Sequence, residues 1–303
     1  MTQSAEVTQS GFVALAGRPN VGKSTLINAV VGSKVAIVSD RPQTTRRAIR
    51  GVCTTAKCQL VLVDLPGVQR PRDALTARMA RRVELELREA DAALLIVSGE
   101  QGVGPGDRFI AARLVAASVP TTVAVNKVDR LSRAQTVQAL RDAAALEGVG
   151  EVFPISARTG AGVAELVEHL AAQLPEGPFV FDAAQRSDQP REVLLAELIR
   201  EAVVRRTFQE VPHAAEVLIE DLEHPYAGLT RIRALIWVES ESQKGILVGA
   251  RGRMIKAIGT AARKDISEAH GAPVHLFLHV KVRERWLDDP ERYRAMGLDF
   301  PKG

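Results

Sequence analysis

Cysteine is nearly absent: Cys53 and Cys58 are the only two in 303 residues. They are too few for a disulfide scaffold and are not in C-x-x-C spacing. Both fall in an alternating, strand-like stretch and read as small packing residues, with a reducing, cytoplasmic location as the default. No run of about eighteen apolar residues is present to span a bilayer. Thr2 to Ser10 is polar and lacks the basic-then-apolar layout of a secretory signal. None of the six histidines stands in a spacing such as H-E-x-x-H, so no zinc site is expected. Excess charge is scarce too. The net charge is +4, with 21 basic and 17 acidic residues in 1–180 and 19 of each in 181–303. Any nucleic-acid surface must therefore be a local patch rather than a global field.

What is present is a rhythm. From Gly11 to about Leu174, short apolar runs (Phe12–Ala16, Leu60–Val63, Ala93–Val97, Thr122–Val125, Phe153–Ile155) alternate with helical stretches. Near-continuous apolar strands with intervening helices predict an α/β domain whose mostly parallel sheet is covered on both faces. A further strand around Ile49–Cys58 is expected to pair antiparallel with Leu60–Val63 as an edge. Leu75, Met79, Val83 and Leu87 recur every four residues and predict one face of a helix. Prolines 175, 178 and 190 then break the rhythm. The expected organisation is a flexible N-terminus (1–10), a nucleotide-binding domain (11–175), a linker (176–190), an α+β domain (191–287) and a tail (288–303). The second domain reads α-β-β-α-α-β. No heptad seam suggests an obligate dimer, so a monomer is expected.

The motifs stand at the ends of the predicted strands. Gly17-Arg18-Pro19-Asn20-Val21-Gly22-Lys23-Ser24 follows the first run and precedes a helix, and it fits the phosphate loop G-x-x-x-x-G-K-[ST]. Its backbone N–H groups, with Thr25 behind them, are candidates to wrap nucleotide phosphates. Lys23 can bridge terminal phosphates, and Ser24 can place a hydroxyl on Mg²⁺. Asp64-Leu65-Pro66-Gly67 closes the next run, where Asp64 can hold Mg²⁺ and the Gly67 N–H can meet a γ-phosphate. Asn126-Lys127-Val128-Asp129 caps a later strand. A carboxylate at Asp129 accepts from the N1–H and 2-amino group of guanine, whereas adenine would turn a lone pair towards it. Ser156-Ala157-Arg158 follows the last strand, with the Ala157 N–H expected on guanine O6. Ligand sites in open α/β sheets lie at these strand ends.

With these motifs the chain resembles the translation-factor-related GTPases and, more closely, the Era family. Arg41-Pro42-Gln43-Thr44-Thr45-Arg46 resembles that family's first switch, in which a threonine joins the Mg²⁺ shell; Thr45 is favoured over Thr44. Val68, after Asp64–Gly67, departs from the glutamine that many GTPases use to orient water. The resemblance implies slow hydrolysis with this apolar residue. It also places Asn20 where relatives bind a K⁺ ion. The implied ligands are GTP or GDP with Mg²⁺ and K⁺.

In the second half Gly249-Ala250-Arg251-Gly252 forms a G-x-x-G turn between helices, where backbone N–H groups can clamp single-stranded RNA. No acid occurs from Ser242 to Lys264, whereas Lys244, Arg251, Arg253, Lys256, Arg263 and Lys264 are basic. The element order is that of a type II KH domain. Ser242–Ile246, Ile258–Thr260 and Ala262–Ile266 extend the resemblance from Gly11 to about Leu287. Ala250 departs from a lysine frequent in the family. In the last strand Val274, Leu276, Leu278 and Val280 should face the core, leaving His275, Phe277, His279 and Lys281 outward. Trp237, Trp286, Tyr293 and Phe300 are expected to pack the domain and its tail.

The resemblance implies a GTP-hydrolysing switch that binds the 3′ end of 16S ribosomal RNA and acts in 30S subunit assembly. It also carries peripheral contact with the cytoplasmic membrane, and no DNA partner. Two other readings stand beside this one: a ribosome-binding module whose nucleotide is structural, kept alive by Val68, and a GTPase whose partner is protein or membrane.

Overall fold

The computed structural model describes residues 8–38, 49–65, 74–207, 215–226, 228–284 and 286. The chain divides into two compact units, 1–36 with 45–188 and 37–44 with 189–303, so the main boundary falls between Asp188 and Gln189.

The first unit is built on a six-stranded sheet. Its strands are β1 (Gln9–Ala16), β2 (Ile49–Thr54), β3 (Cys58–Asp64), β4 (Ala92–Ser98), β5 (Thr121–Asn126) and β6 (Val152–Pro154), in the order β2-β3-β1-β4-β5-β6. All neighbours run parallel except β2, which pairs antiparallel with β3, Ile49 opposite Asp64 and Thr54 opposite Gln59. The apolar runs are continuous because alternate residues serve two cores. Val13, Leu15, Leu94 and Ile96 face a core shared with α1 (Lys23–Val31) and α5 (Val163–Ala172). Ala14, Ala16, Leu95 and Val97 face the opposite core, with α2 (Ala74–Glu89), α3 (Pro105–Ala116) and α4 (Arg133–Ala144). Val83 and Leu87 of α2 are buried as its spacing requires, whereas the side chains of Leu75 and Met79 lie outside the described residues. Cys58 is buried and Cys53 half-buried, and burial raises both thiol pKa values, which suits a packing role.

The stretch expected as an interdomain linker is bonded to this first unit as far as Asp188. Gly177 N donates to Thr8 O at 2.9 Å, and Val52 N donates to Arg186 O at 2.9 Å beside a bridge between Gly51 and Ser187. The Gln59 side chain, fully buried on β3, accepts from Val180 N (2.8 Å) and Phe181 N (2.9 Å) and donates to Phe181 O (2.8 Å) and Thr54 Oγ1 (3.0 Å). All four hydrogen-bonding positions of the amide are used.

The second unit opens with α6 (Arg191–Arg206), Pro190 standing at its N-cap. Strands β7 (Glu216–Tyr226), β8 (Leu229–Val238) and β9 (Val274–Val282) form a sheet in that order, antiparallel then parallel. Between β8 and β9 lie α7 (Glu241–Val248) and α8 (Arg253–His270). Leu198, Ile199 and Val203 of α6 pack with Ile258, Ala262 and Ile266 of α8 over Ile232, Ala234 and Ile236 of β8. Alternation in β9 is as expected: Leu276, Leu278 and Val280 meet this core, and His275, Phe277, His279 and Lys281 are exposed. Trp237 and Trp286 are buried, with the Arg283 guanidinium 4.4 Å over the Trp237 ring; Tyr293 and Phe300 lie outside the described residues. A buried ionic cluster sits on α6, where Arg200 donates to Glu197 at 2.5 Å and 2.9 Å. No helix among the described residues is long and apolar enough to cross a membrane.

Candidate nucleotide site and G-x-x-G turn

β1 delivers the chain at Gly17 into a loop that closes on α1. Gly22 has φ +103°, and a Cβ there would lie 2.2 Å from Asn126 Nδ2, so only glycine fits. A Cβ at Gly17 would lie 2.5 Å from the Ile96 carbonyl oxygen. Asn20, exposed between them, takes the left-handed φ of 63°. No side chain caps α1 and its first turn has no acidic residue, so the helix presents N–H groups and positive dipole to an anion. The buried Lys23 ammonium donates to the carbonyls of Gly17 (3.1 Å) and Arg18 (3.2 Å). Burial lowers its pKa below the ordinary lysine value, against the pull of Asp64.

Ser24 Oγ donates to Asp64 Oδ2 at 2.7 Å, which joins the start of α1 to the end of β3. A hydroxyl and a carboxylate side by side form a hard-oxygen donor set that suits Mg²⁺. Leu65 behind them is fully buried, and Thr25 is half-buried. Thr45, Pro66, Gly67 and Val68 lie outside the described residues.

The end of β5 is tied to the phosphate loop through one amide. Asn126 Nδ2 donates to Val21 O at 2.7 Å, and Asn126 Oδ1 accepts from Ala157 N at 2.9 Å. The Ala157 N–H expected on guanine O6 is therefore committed to Asn126, whose buried amide oxygen needs a donor. Asp129 Oδ1 accepts from Ser156 Oγ at 2.6 Å, and Oδ2 accepts from Arg158 at 2.5 Å and 3.1 Å. The Ser156 hydroxyl first, then Arg158, holds this carboxyl below the usual range, so Asp129 stands ionised as an acceptor. Lys127, in the left-handed region at φ 69°, pairs with Glu100 at 3.1 Å, as Arg130 does at 3.0 Å.

The Arg18 side chain has a separate partner. Its guanidinium turns to α3, donating to the fully buried Asp107 at 2.9 Å and to Gly102 O at 3.1 Å. Asp107 also accepts from Gly104 N at 2.8 Å. Arg18 thus contributes backbone to the loop, and its side chain anchors it. Asp107, the partner that sequence reading missed, carried no signal beyond being an acid in a helix's first turn.

In the second unit, α7 ends at Gly249 (φ 68°), where a Cβ would lie 2.7 Å from Met254 Cβ. Ala250, Arg251 and Gly252 make a short 3₁₀ turn, Arg251 being left-handed at φ 54°. Ala250, Arg251, Arg253, Lys256 and Arg263 are exposed. Arg253 donates to Ala250 O at 3.3 Å, and Lys244 pairs with Glu241 at 3.5 Å. Arg251, Lys256 and Arg263 have no carboxylate partner among the described residues. Cations left unpaired beside a tight glycine turn suit a polyanionic backbone.

The phosphate loop, the serine–aspartate pair beside it and the ionised carboxylate after β5 are those of a P-loop GTPase domain, followed here by a G-x-x-G domain. A family model described as "50S ribosome-binding GTPase" matches residues 12–127, and one described as "KH domain" matches 210–287. GTPase Era of Rhizobium meliloti is 45% identical over 97% of this chain and 94% of its own length, and GTPase Era of Lactobacillus helveticus is 43% identical over 96% of each. A crystal structure of Aquifex aeolicus Era bound to GDP·AlF₄⁻ superposes with TM-score 0.91 at 33% identity, covering 97% of this chain and all of that one. A crystal structure of Era with MgGDPNP and nucleotides 1506–1542 of 16S ribosomal RNA gives TM-score 0.90 at 34% identity, with the same coverage. The chain belongs to the Era family of GTPases.

Proposed function

We propose that this GTPase is a switch whose nucleotide state governs how its KH domain holds the 3′ end of 16S ribosomal RNA, in assembly of the 30S subunit. The observation that carries the reading is the pairing, in one chain, of an ionised base-reading carboxylate with a glycine turn flanked by cations, of which Arg251, Lys256 and Arg263 have no carboxylate partner among the described residues. Ser24 and Asp64 would hold Mg²⁺, with Thr45 joining them, and Mg²⁺ would supply charge against the phosphates. Lys23 and the α1 N-terminus bind the phosphates, Asp129 reads guanine, and Gly67 meets the γ-phosphate. Asn20 is the residue offered for K⁺. Lys244, Arg251, Arg253, Lys256 and Arg263 contact RNA phosphates around Gly249–Gly252. The working domains are 11–175 and 191–287, with 176–188 bonded to the first of them, 189–190 leading into the second and 288–303 as a tail. Docking on the 30S subunit, a cytoplasmic monomeric state and peripheral membrane contact belong to the same proposal and rest on family membership.

The test is RNA binding and hydrolysis together. An RNA of 16S nucleotides 1506–1542, the fragment in the Era complex, is titrated into the full chain loaded with GDPNP or GDP, and turnover is followed in KCl and NaCl. Nucleotide-dependent affinity with faster turnover in KCl is expected. Equal affinity in both states removes the switch, and equal rates remove the K⁺ role of Asn20.

A further inference from the structure

The Lys23 ammonium carries three N–H groups. Two are engaged by the carbonyls of Gly17 (3.1 Å) and Arg18 (3.2 Å), which leaves one for a phosphate. Where that third N–H points is set by where the two carbonyls stand. Gly17 is fixed against the sheet, because a Cβ there would lie 2.5 Å from the Ile96 carbonyl oxygen of β4. Arg18 is held through its own side chain, which is bonded to the start of α3.

That anchor is deep at one end and open at the other. Arg18 Nε donates to Asp107 at 2.9 Å, and Nη2 donates to Gly102 O at 3.1 Å. The Asp107 side chain is 0% exposed and also accepts from Gly104 N at 2.8 Å, at the N-cap of α3. The guanidinium cannot leave without stranding a buried charge, so it stays on the helix. The Arg18 side chain is itself 26% exposed, and without the carboxylate it is free to turn to water. Gly106, in the first turn of α3, makes the fit close. A Cβ there would lie 2.8 Å from Arg18 Cδ and 3.2 Å from Cγ. Gly106 does not have a positive φ, so what the missing Cβ supplies is room for the arginine stem.

We propose that Asp107 is a positioning residue for phosphate binding: through Arg18 it fixes the carbonyl that aims the Lys23 ammonium. Gly106 serves the same end by letting the Arg18 stem lie against α3. This rests on the reading of Lys23 as a phosphate ligand. Neither Asp107 nor Gly106 stands in a nucleotide motif, yet both act on the nucleotide through one main-chain oxygen.

The experiment measures GDPNP affinity by calorimetry, GTP turnover and unfolding temperature on the full chain. Asp107→Asn removes the charge that holds Arg18, and should weaken GDPNP binding and slow turnover by about 10- to 100-fold each. Gly106→Ala leaves every charge in place and favours the helix, so the unfolding temperature should not fall. It should nevertheless weaken GDPNP binding by about fivefold or more, because the added methyl displaces the Arg18 stem. Arg18→Met combined with Asp107→Asn should lose about as much as the larger single variant, not the product of the two. A merely structural Asp107 would lower the unfolding temperature in Asp107→Asn and leave Gly106→Ala binding within about twofold of the parent, which overturns the proposal. Lys23→Ala separates the two readings. If it binds GDPNP as the parent does, the phosphate role of Lys23 falls and the positioning role falls with it. If it loses binding while Asp107→Asn and Gly106→Ala do not, the positioning role falls alone.

Discussion

The nucleotide site and the G-x-x-G turn use their polar groups in opposite ways. At the first, Lys23, Ser24, Asp64, Asn126, Asp129, Ser156 and Arg158 bond to one another or to nearby backbone before any ligand arrives. At the second, Arg251, Lys256 and Arg263 are exposed, with no acid beside them among the described residues. Preorganisation fixes where each donor and acceptor points, and that gives discrimination between bases. Unpaired cations give affinity through released counterions and tolerate many registers. One chain thus holds a site whose polar groups are fixed in advance and a turn whose cations stay exposed.

The comparison breaks most severely at Asp129. Asp129→Asn presents an NH₂ where guanine offers its own N–H groups, and guanine-nucleotide affinity should fall by about a thousandfold or more, measured by calorimetry. Xanthine nucleotides, whose 2-oxo group accepts, should bind the variant better than guanine nucleotides do. Asn126→Ala comes next, because it orphans the Val21 carbonyl and the Ala157 N–H at one stroke. A loss of about 1–3 kcal/mol per orphaned buried group is expected, read as a lower unfolding temperature with weaker binding of phosphate and base alike. The smallest effect belongs to the turn. Arg251→Ala with Lys256→Ala should reduce the salt slope of RNA binding by about 0.7 for each cation lost and leave nucleotide affinity untouched. An unchanged slope would place both side chains outside the RNA contact.

The parts legible in the sequence are those with a local period or a fixed spacing. The strands of the first unit, the antiparallel β2, the alternation in β9, the phosphate loop and the turn between α7 and α8 all follow from neighbours in the chain. Asp129 is readable because guanine's N1–H and 2-amino group call for a carboxylate, whereas its bond to Ser156 left no mark in the sequence. Pairings set by tertiary folding left no such mark. Arg18 meets Asp107 across 89 residues, Asn126 meets Val21 across 105, and Gln59 meets Phe181 across 122. A proline-rich stretch reads as a linker from composition alone, and nothing in residues 176–188 announces that a buried glutamine on β3 will take hold of it. Thr45, Gly67 and Val68 lie outside the described residues, so the hydrolytic half of the site stands on sequence and kinship.

The grip of Gln59 on Val180 and Phe181 has a consequence for the order of synthesis. β2 is the end strand of its sheet, and an uncovered end strand is a template for a neighbour's strand. Residues 176–188 cover part of that edge, yet they leave the ribosome after every strand of the first unit has been made. The nascent first unit therefore carries an open seam until its own chain supplies the closing stitch, and that stitch is sewn just as α6 emerges. A stall or truncation shortly before residue 180 should leave a folded but adhesive intermediate.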